Sequence, residues 1–93
     1  MEVEPSAFQS PRKRSVTIAG HETSVSLEPM FWQALEAAAK AEALPLNALI
    51  ARVDAERLDA EGGAPNLTSA LRQWLLARAQ GANVDDERKE IRP

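Results

Sequence analysis

The sequence predicts a mostly helical domain that carries one short β-hairpin, and three observations lead there. From Ser15 to Leu27 the apolar residues Val16, Ile18, Val25 and Leu27 sit two positions apart on either side of a glycine, the period of a half-buried strand. From Phe31 onward the apolar residues recur every third or fourth position, the period of one helix face. Two breaks, Leu44-Pro45 and Gly62-Gly63-Ala64-Pro65, then divide the helical region into three.

The hairpin comes first. Its turn candidate is Ala19-Gly20-His21-Glu22, with Gly20 able to take positive φ at the first central position. A two-residue turn at Gly20-His21 pairs Ile18 with Thr23, Thr17 with Ser24, Val16 with Val25 and Ser15 with Ser26. One face then carries Val16, Ile18, Thr23, Val25 and Leu27, and the other Ser15, Thr17, Glu22, Ser24 and Ser26. The turn signal and the separation of apolar from polar residues agree.

The first helix is expected to begin near Pro29, whose missing N–H has no intrahelical partner at that position. Phe31, Leu35, Ala38 and Ala39 form its apolar stripe, with Trp32 on the flank. Pro45 opens a second helix with Leu46, Leu49, Ile50 and Val53 facing the core, expected to run through Arg57 or Leu58. Asn66 is a good cap for a third helix whose inward positions are Leu67, Leu71, Trp74 and Leu75. Gly81 is its expected stop. This gives a flexible arm over residues 1–11, with Phe8 its one large apolar side chain, a single domain over 12–80, and a disordered charged tail over 81–93.

Bulk properties narrow the function. A chain of 93 residues buries only roughly two-thirds of its surface alone, and an isolated two-stranded hairpin is marginal in water. A partner subunit is therefore expected. There is no cysteine and only one histidine, which excludes disulfides and argues against a Cys/His zinc site. No apolar run approaches the ~18 residues of a membrane span. Glu2 and Glu4 interrupt the N-terminus, so no secretory leader is expected and the cytoplasm is the expected location.

The net charge of −3 opposes non-specific coating of nucleic acid, which needs clustered Lys and Arg. The charge is uneven, however. Residues 28–64 hold seven acids and three bases, a net of −4, whereas residues 65–80 hold only Arg72 and Arg78, a net of +2. Arg12, Lys13 and Arg14 form a basic run just ahead of the first expected strand.

Catalytic patterns are missing. The one histidine, His21, falls at the hairpin tip without a partner nucleophile. No glycine-rich phosphate loop or dinucleotide fingerprint occurs. Glu56, Asp59 and Glu61 read as a solvated helix face, and Trp32 and Trp74 as core or interface aromatics. A non-enzymatic protein with no metal or cofactor is expected.

The strings KRSVTIAGHETSVSLE (Lys13 to Glu28), LNALI (Leu46 to Ile50) and NLTSALR (Asn66 to Arg72) carry a more specific signal. Over roughly residues 12–77 the chain resembles the ribbon-helix-helix superfamily of dimeric DNA-binding proteins, the Arc and MetJ type, and most of all a group of small bacterial ribbon-helix-helix proteins. The hairpin string is the most specific part. The resemblance implies that the strand before the first helix pairs antiparallel with its two-fold mate. Two intertwined chains would then share one core, here Val16, Ile18, Val25, Leu27, Phe31, Leu35, Ile50 and Val53.

It also implies that the ribbon's polar face enters the DNA major groove. The outward residues at the matching positions are Glu22, Ser24 and Ser26. The second helix would offer a phosphate its first N–H groups, near Leu46 and Asn47. Arg12, Lys13 and Arg14 would be further phosphate contacts.

The chain departs from that pattern at four points. Many members carry a small capping residue where Pro45 stands and a glycine where Ala43 stands. The outward ribbon residues are short, with no Arg, Lys, Asn or Gln among them. The additional strand would make a dimer's sheet four strands wide, and at ~4.8 Å per strand that exceeds the ~12 Å of the major groove. Two functions follow. One is a homodimeric DNA-binding protein acting in transcriptional regulation. The other is a dimeric protein-interaction module that keeps the fold, binds a protein partner and does not read DNA.

Overall fold

The computed structural model describes residues 8–60, 62–63 and 65–91, with side chains described through residue 81. The elements are β1 (Arg12–Ile18), β2 (His21–Leu27), α1 (Pro29–Ala41), α2 (Leu46–Leu58) and α3 (Leu67–Ile91). The two strands form one antiparallel sheet. Helix α2 packs on β1 and α3 packs on β2, while α1 touches both of the other helices.

The hairpin register differs from the expected one by two residues. The turn is Ala19-Gly20, and Ile18 faces His21, Val16 faces Thr23, Ser15 faces Ser24 and Lys13 faces Ser26. Both turn residues take positive φ, 52° at Ala19 and 83° at Gly20, the pattern of a type I′ turn, which suits the twist of the flanking strands. Glycine therefore fills the second central position and alanine carries the strain of the first. Because the shift is even, each side chain keeps its face. The basic run also moves: Arg12, Lys13 and Arg14 belong to β1 rather than preceding it.

The core comprises Val16, Val25, Leu27, Trp32, Leu35, Ala38, Ala39, Leu49, Ile50, Val53, Ala70 and Leu71. Trp32, expected on a flank, is only 3% exposed, whereas Phe31 packs against the core edge, half-buried. The reason is a partner for the indole: Nε1 of Trp32 donates to the Arg12 carbonyl at 2.9 Å, so the ring can be buried without an orphaned N–H. Val25 and Leu27 are 1% and 0% exposed within a single chain. The extra strand and the third helix thus close over residues that the resemblance assigns to a shared two-chain core. Ile18 and Phe31 stay half-buried.

The helix ends follow local chemistry. Pro29 is the first residue of α1. At the other end Ala43 has φ 58°; its N–H donates to Lys40 O at 3.0 Å and that of Leu44 to Ala39 O at 2.9 Å. These two bonds form a Schellman motif, whose left-handed position usually belongs to glycine. Asn66 caps α3 as expected, its Oδ1 accepting the Ser69 N–H at 2.8 Å. Trp74 and Leu75 are only partly buried, with Ala70 and Leu71 taking the deepest positions.

The expected stop at Gly81 is not made, and α3 continues to Ile91. Glycine ends a helix by entering the left-handed region, and Gly81 is absent from the positive-φ residues. Inside a helix it costs only ~1 kcal/mol, and good helix formers such as Glu87, Arg88, Lys89 and Glu90 follow it. The region 82–91, expected to be an unstructured tail, therefore lies on this helix. Of the expected arm, residues 1–7 lie outside the described residues; Phe8 is 96% exposed.

Candidate nucleic-acid interface

Strand alternation sorts the hairpin side chains onto two faces. The register places Lys13 opposite Ser26, Ser15 opposite Ser24 and Thr17 opposite Glu22. These six share the face turned away from the helices, and all but the half-buried Ser26 are exposed. The face has one base and one acid per chain, surrounded by hydroxyl groups. Each hydroxyl can donate and accept, so the surface suits a polar ligand rather than an apolar one.

The backbone of β2 adds a second feature. A two-residue turn is closed by a hydrogen-bonded pair, here Ile18 with His21, and such pairs then alternate along the ladder. Thr23 and Val25 consequently point their backbone groups at β1. Glu22, Ser24 and Ser26 point theirs the other way, along an edge that no described strand covers. An open row of N–H and C=O groups is a template for another strand. The three expected base-facing residues are thus also the three whose backbone lines the open edge.

The basic run is divided by the same alternation. Arg12 and Arg14 fall on the helix side of the sheet. Arg14 donates to Glu36 Oε2 from both terminal nitrogens, at 3.0 and 2.9 Å, and its guanidinium lies 4.6 Å from the Trp32 ring centroid. The Arg12 carbonyl receives the Trp32 indole. Lys13 alone is turned to the outer face. The expected cluster of three phosphate contacts is therefore split between opposite sides of one sheet.

Leu46 and Asn47 stand at the start of α2. Pro45 precedes them with φ −62° and ψ 152°, and no side chain caps the helix. The Pro45 carbonyl accepts from Ala48 at 3.0 Å and Leu49 at 3.1 Å, and the N–H groups of Leu46 and Asn47 have no intrahelical acceptor. Asn47 is exposed and Leu46 half-buried. The hairpin tip lies toward the other end of α2: Ile18, Ala19, His21 and Thr23 share a shallow pocket of about 290 Å³ with Asp54, Arg57 and Leu67. From Asn47 to Asp54 is roughly 10 Å along the helix axis.

Sequence reasoning missed the ionic ties that hold the helices under this sheet. Arg72 of α3 reaches Glu28 at 3.1 Å and sits 5.7 Å over the Phe31 ring. Arg78 of α3 and Arg52 of α2 both reach Glu42, at 2.9 and 3.4 Å. The two ends of α1 are thus bridged to α3. The Glu28 carboxyl is held below its usual range first by a hydrogen bond from its own backbone N–H; burial opposes this, and Arg72 adds to the lowering. The Glu42 carboxyl is lowered by the Arg78 hydrogen bond and the Arg52 charge. Arg57 pairs with Asp54 at 2.7 Å and donates to the Pro65 carbonyl, fixing the approach to α3. Spacing alone gives no hint that Arg72 meets Glu28 or that Arg52 and Arg78 meet Glu42, whereas Asp54 and Arg57 stand three residues apart on one helix.

Among the described residues, no group of three His, Asp or Glu side chains stands ready to hold a metal ion. No described helix is long and apolar enough to cross a membrane.

Comparison with known proteins agrees with this architecture. A family model described as a ribbon-helix-helix domain matches residues 11–79. No curated protein matches. A solved structure, an uncharacterized protein from Bordetella pertussis Tohama I, is similar with a TM-score of 0.68 and 36% identity; the match covers 83% of this chain and 61% of that one.

Proposed function

Because the chain belongs to the ribbon-helix-helix domain family, we propose that it works as a homodimeric DNA-binding protein of the transcriptional-regulator type. The observation that carries this reading is the coincidence on β2 of an open hydrogen-bonding edge with an outward row of Glu22, Ser24 and Ser26. A mate strand on that edge would bring two such rows side by side. Serine hydroxyls can bond to several base edges and a carboxylate can accept from cytosine. Function is carried by a site rather than by a fold, and the site here is this edge of β2.

Sedimentation and DNA binding test it together. A single species near twice the 10.1 kDa chain mass, binding duplex DNA with steep salt dependence, is the expected result. A monomer at micromolar concentration, or no DNA binding below ~10 μM at low salt, where many non-specific binders already bind, would overturn it.

One observation favours the second reading, a dimeric protein-interaction module. The outer face balances Lys13 against Glu22, and the whole chain carries −3. A groove-reading surface is usually strongly positive. Retention of a dimer without DNA binding would select this reading.

A further inference from the structure

We propose that β1 is the phosphate-contacting strand of the DNA interface, with Lys13 as its cation, and that Arg14 serves the fold instead. The inference rests on the DNA-binding homodimer proposed above and says how a sheet too wide for the groove can still use it.

Pairing through the open edge of β2 gives the strand order β1-β2-β2-β1 across the dimer. Three gaps of ~4.8 Å make a sheet about 14 Å wide, against a groove of ~12 Å. The two central β2 strands then lie over the groove, and the two β1 strands overhang its walls. Those walls are the phosphate backbones.

The charges on the outer face match this division. The face's one base, Lys13, is on β1, the overhanging strand, and its one acid, Glu22, is on β2, the central strand. A lysine meets the phosphates and a carboxylate is kept away from them. With the reverse placement, Glu22 would face a phosphate wall and be repelled.

Arg12 and Arg14 are on the opposite side of β1. Arg14 is held by Glu36 and by the Trp32 ring, and to reach a phosphate it would have to give up both and pass around the sheet edge. Lys13 has no ion-pair partner among the described residues, so its ammonium group is available without breaking a contact.

The test uses the full chain, a fluorescein-labelled DNA duplex of mixed sequence, and a salt series. Lys13→Gln should reduce the slope of log K against log salt by about 1.8, two contacts per dimer at ~0.9 each, and Lys13→Arg should restore it. Arg14→Gln should keep the wild-type slope while its melting temperature falls. A wild-type slope for Lys13→Gln, or a flattened one for Arg14→Gln in a folded protein, would overturn this assignment and leave DNA binding standing. Failure of the wild-type chain to bind the duplex would overturn both.

Discussion

The indole of Trp32 donates to the backbone carbonyl of Arg12 at 2.9 Å, tying the first strand to the first helix across twenty residues of chain. The bond lies at the strand's start, where fraying would otherwise begin. Above the same ring rests the Arg14 guanidinium. One side chain therefore fills the core, fastens β1 and seats a cation. Trp32→Phe keeps most of the apolar volume and removes the N–H. It should destabilise the chain by about 1–2 kcal/mol, the usual cost of losing one partly buried hydrogen bond. Urea unfolding checks the magnitude, and faster amide exchange confined to β1 would locate the loss.

Two alanines sit where the backbone prefers glycine or asparagine. Ala43→Gly should stabilise the chain by about 1 kcal/mol, since the left-handed conformation costs an L-residue roughly 1–2 kcal/mol and glycine gives back part of that as unfolded-chain entropy. Ala19→Asn, which creates the favoured Asn-Gly pair of a type I′ turn, should act in the same direction. Because they lie in separate turns, the two effects should add. Chemical denaturation of the single and double variants measures this; destabilisation by Ala43→Gly would mean that the Schellman turn is misassigned.

Acid should loosen the helix layer through Glu28 and Glu42. Both folded-state carboxyls are lowered from 4.5, so the unfolded chain takes up these protons first as pH falls. Their stabilisation is present above the unfolded value and is lost on descending through the folded ones. Melting temperature should therefore decline from about pH 5 downward. The Glu28→Gln and Glu42→Gln double variant should melt lower at neutral pH and show a shallower acid decline. An acid limb of unchanged steepness would exclude these two ties as its source.

The edge of β2 can be blocked without touching the core. Ser24 directs its backbone away from β1, so Ser24→Pro removes an edge donor and no bond of the hairpin ladder. It should give a folded monomer by sedimentation and circular dichroism. Val25→Asp should instead abolish folding outright, because Val25 is enclosed by its own chain and an unpaired buried charge is severely disfavoured. A Ser24→Pro protein that still sediments as a dimer would place the contact between copies elsewhere.

Much of this architecture was legible in periodicity and in punctuation. Alternation found both strands and their faces, and Pro29, Pro45 and Asn66 marked the helix starts, because those signals act over a few residues. The hairpin register escaped for a local reason: Gly20 suits either central turn position, and two registers two residues apart sort side chains onto the same faces. Periodicity puts Trp32 on a flank, because its burial depends on a carbonyl twenty positions away. Gly81 reads as a stop in the sequence but is none, because a glycine ends a helix only when its backbone turns left-handed, which composition does not reveal. The outer row of Glu22, Ser24 and Ser26 followed from alternation, whereas the division of Arg12, Lys13 and Arg14 needed the strand to be seen extending beneath them.

Enclosure of Val25 and Leu27 within one chain has a consequence for dosage. A protein whose core is completed only by its mate has no folded form when scarce. This chain already hides its core, so lone copies can persist intact and wait for one another. Joining along β2 would then be a mass-action step separate from folding. At low abundance the concentration of pairs rises with the square of the number of copies, and a DNA site that accepts only pairs would respond to a doubling of the protein with up to a fourfold change in occupancy.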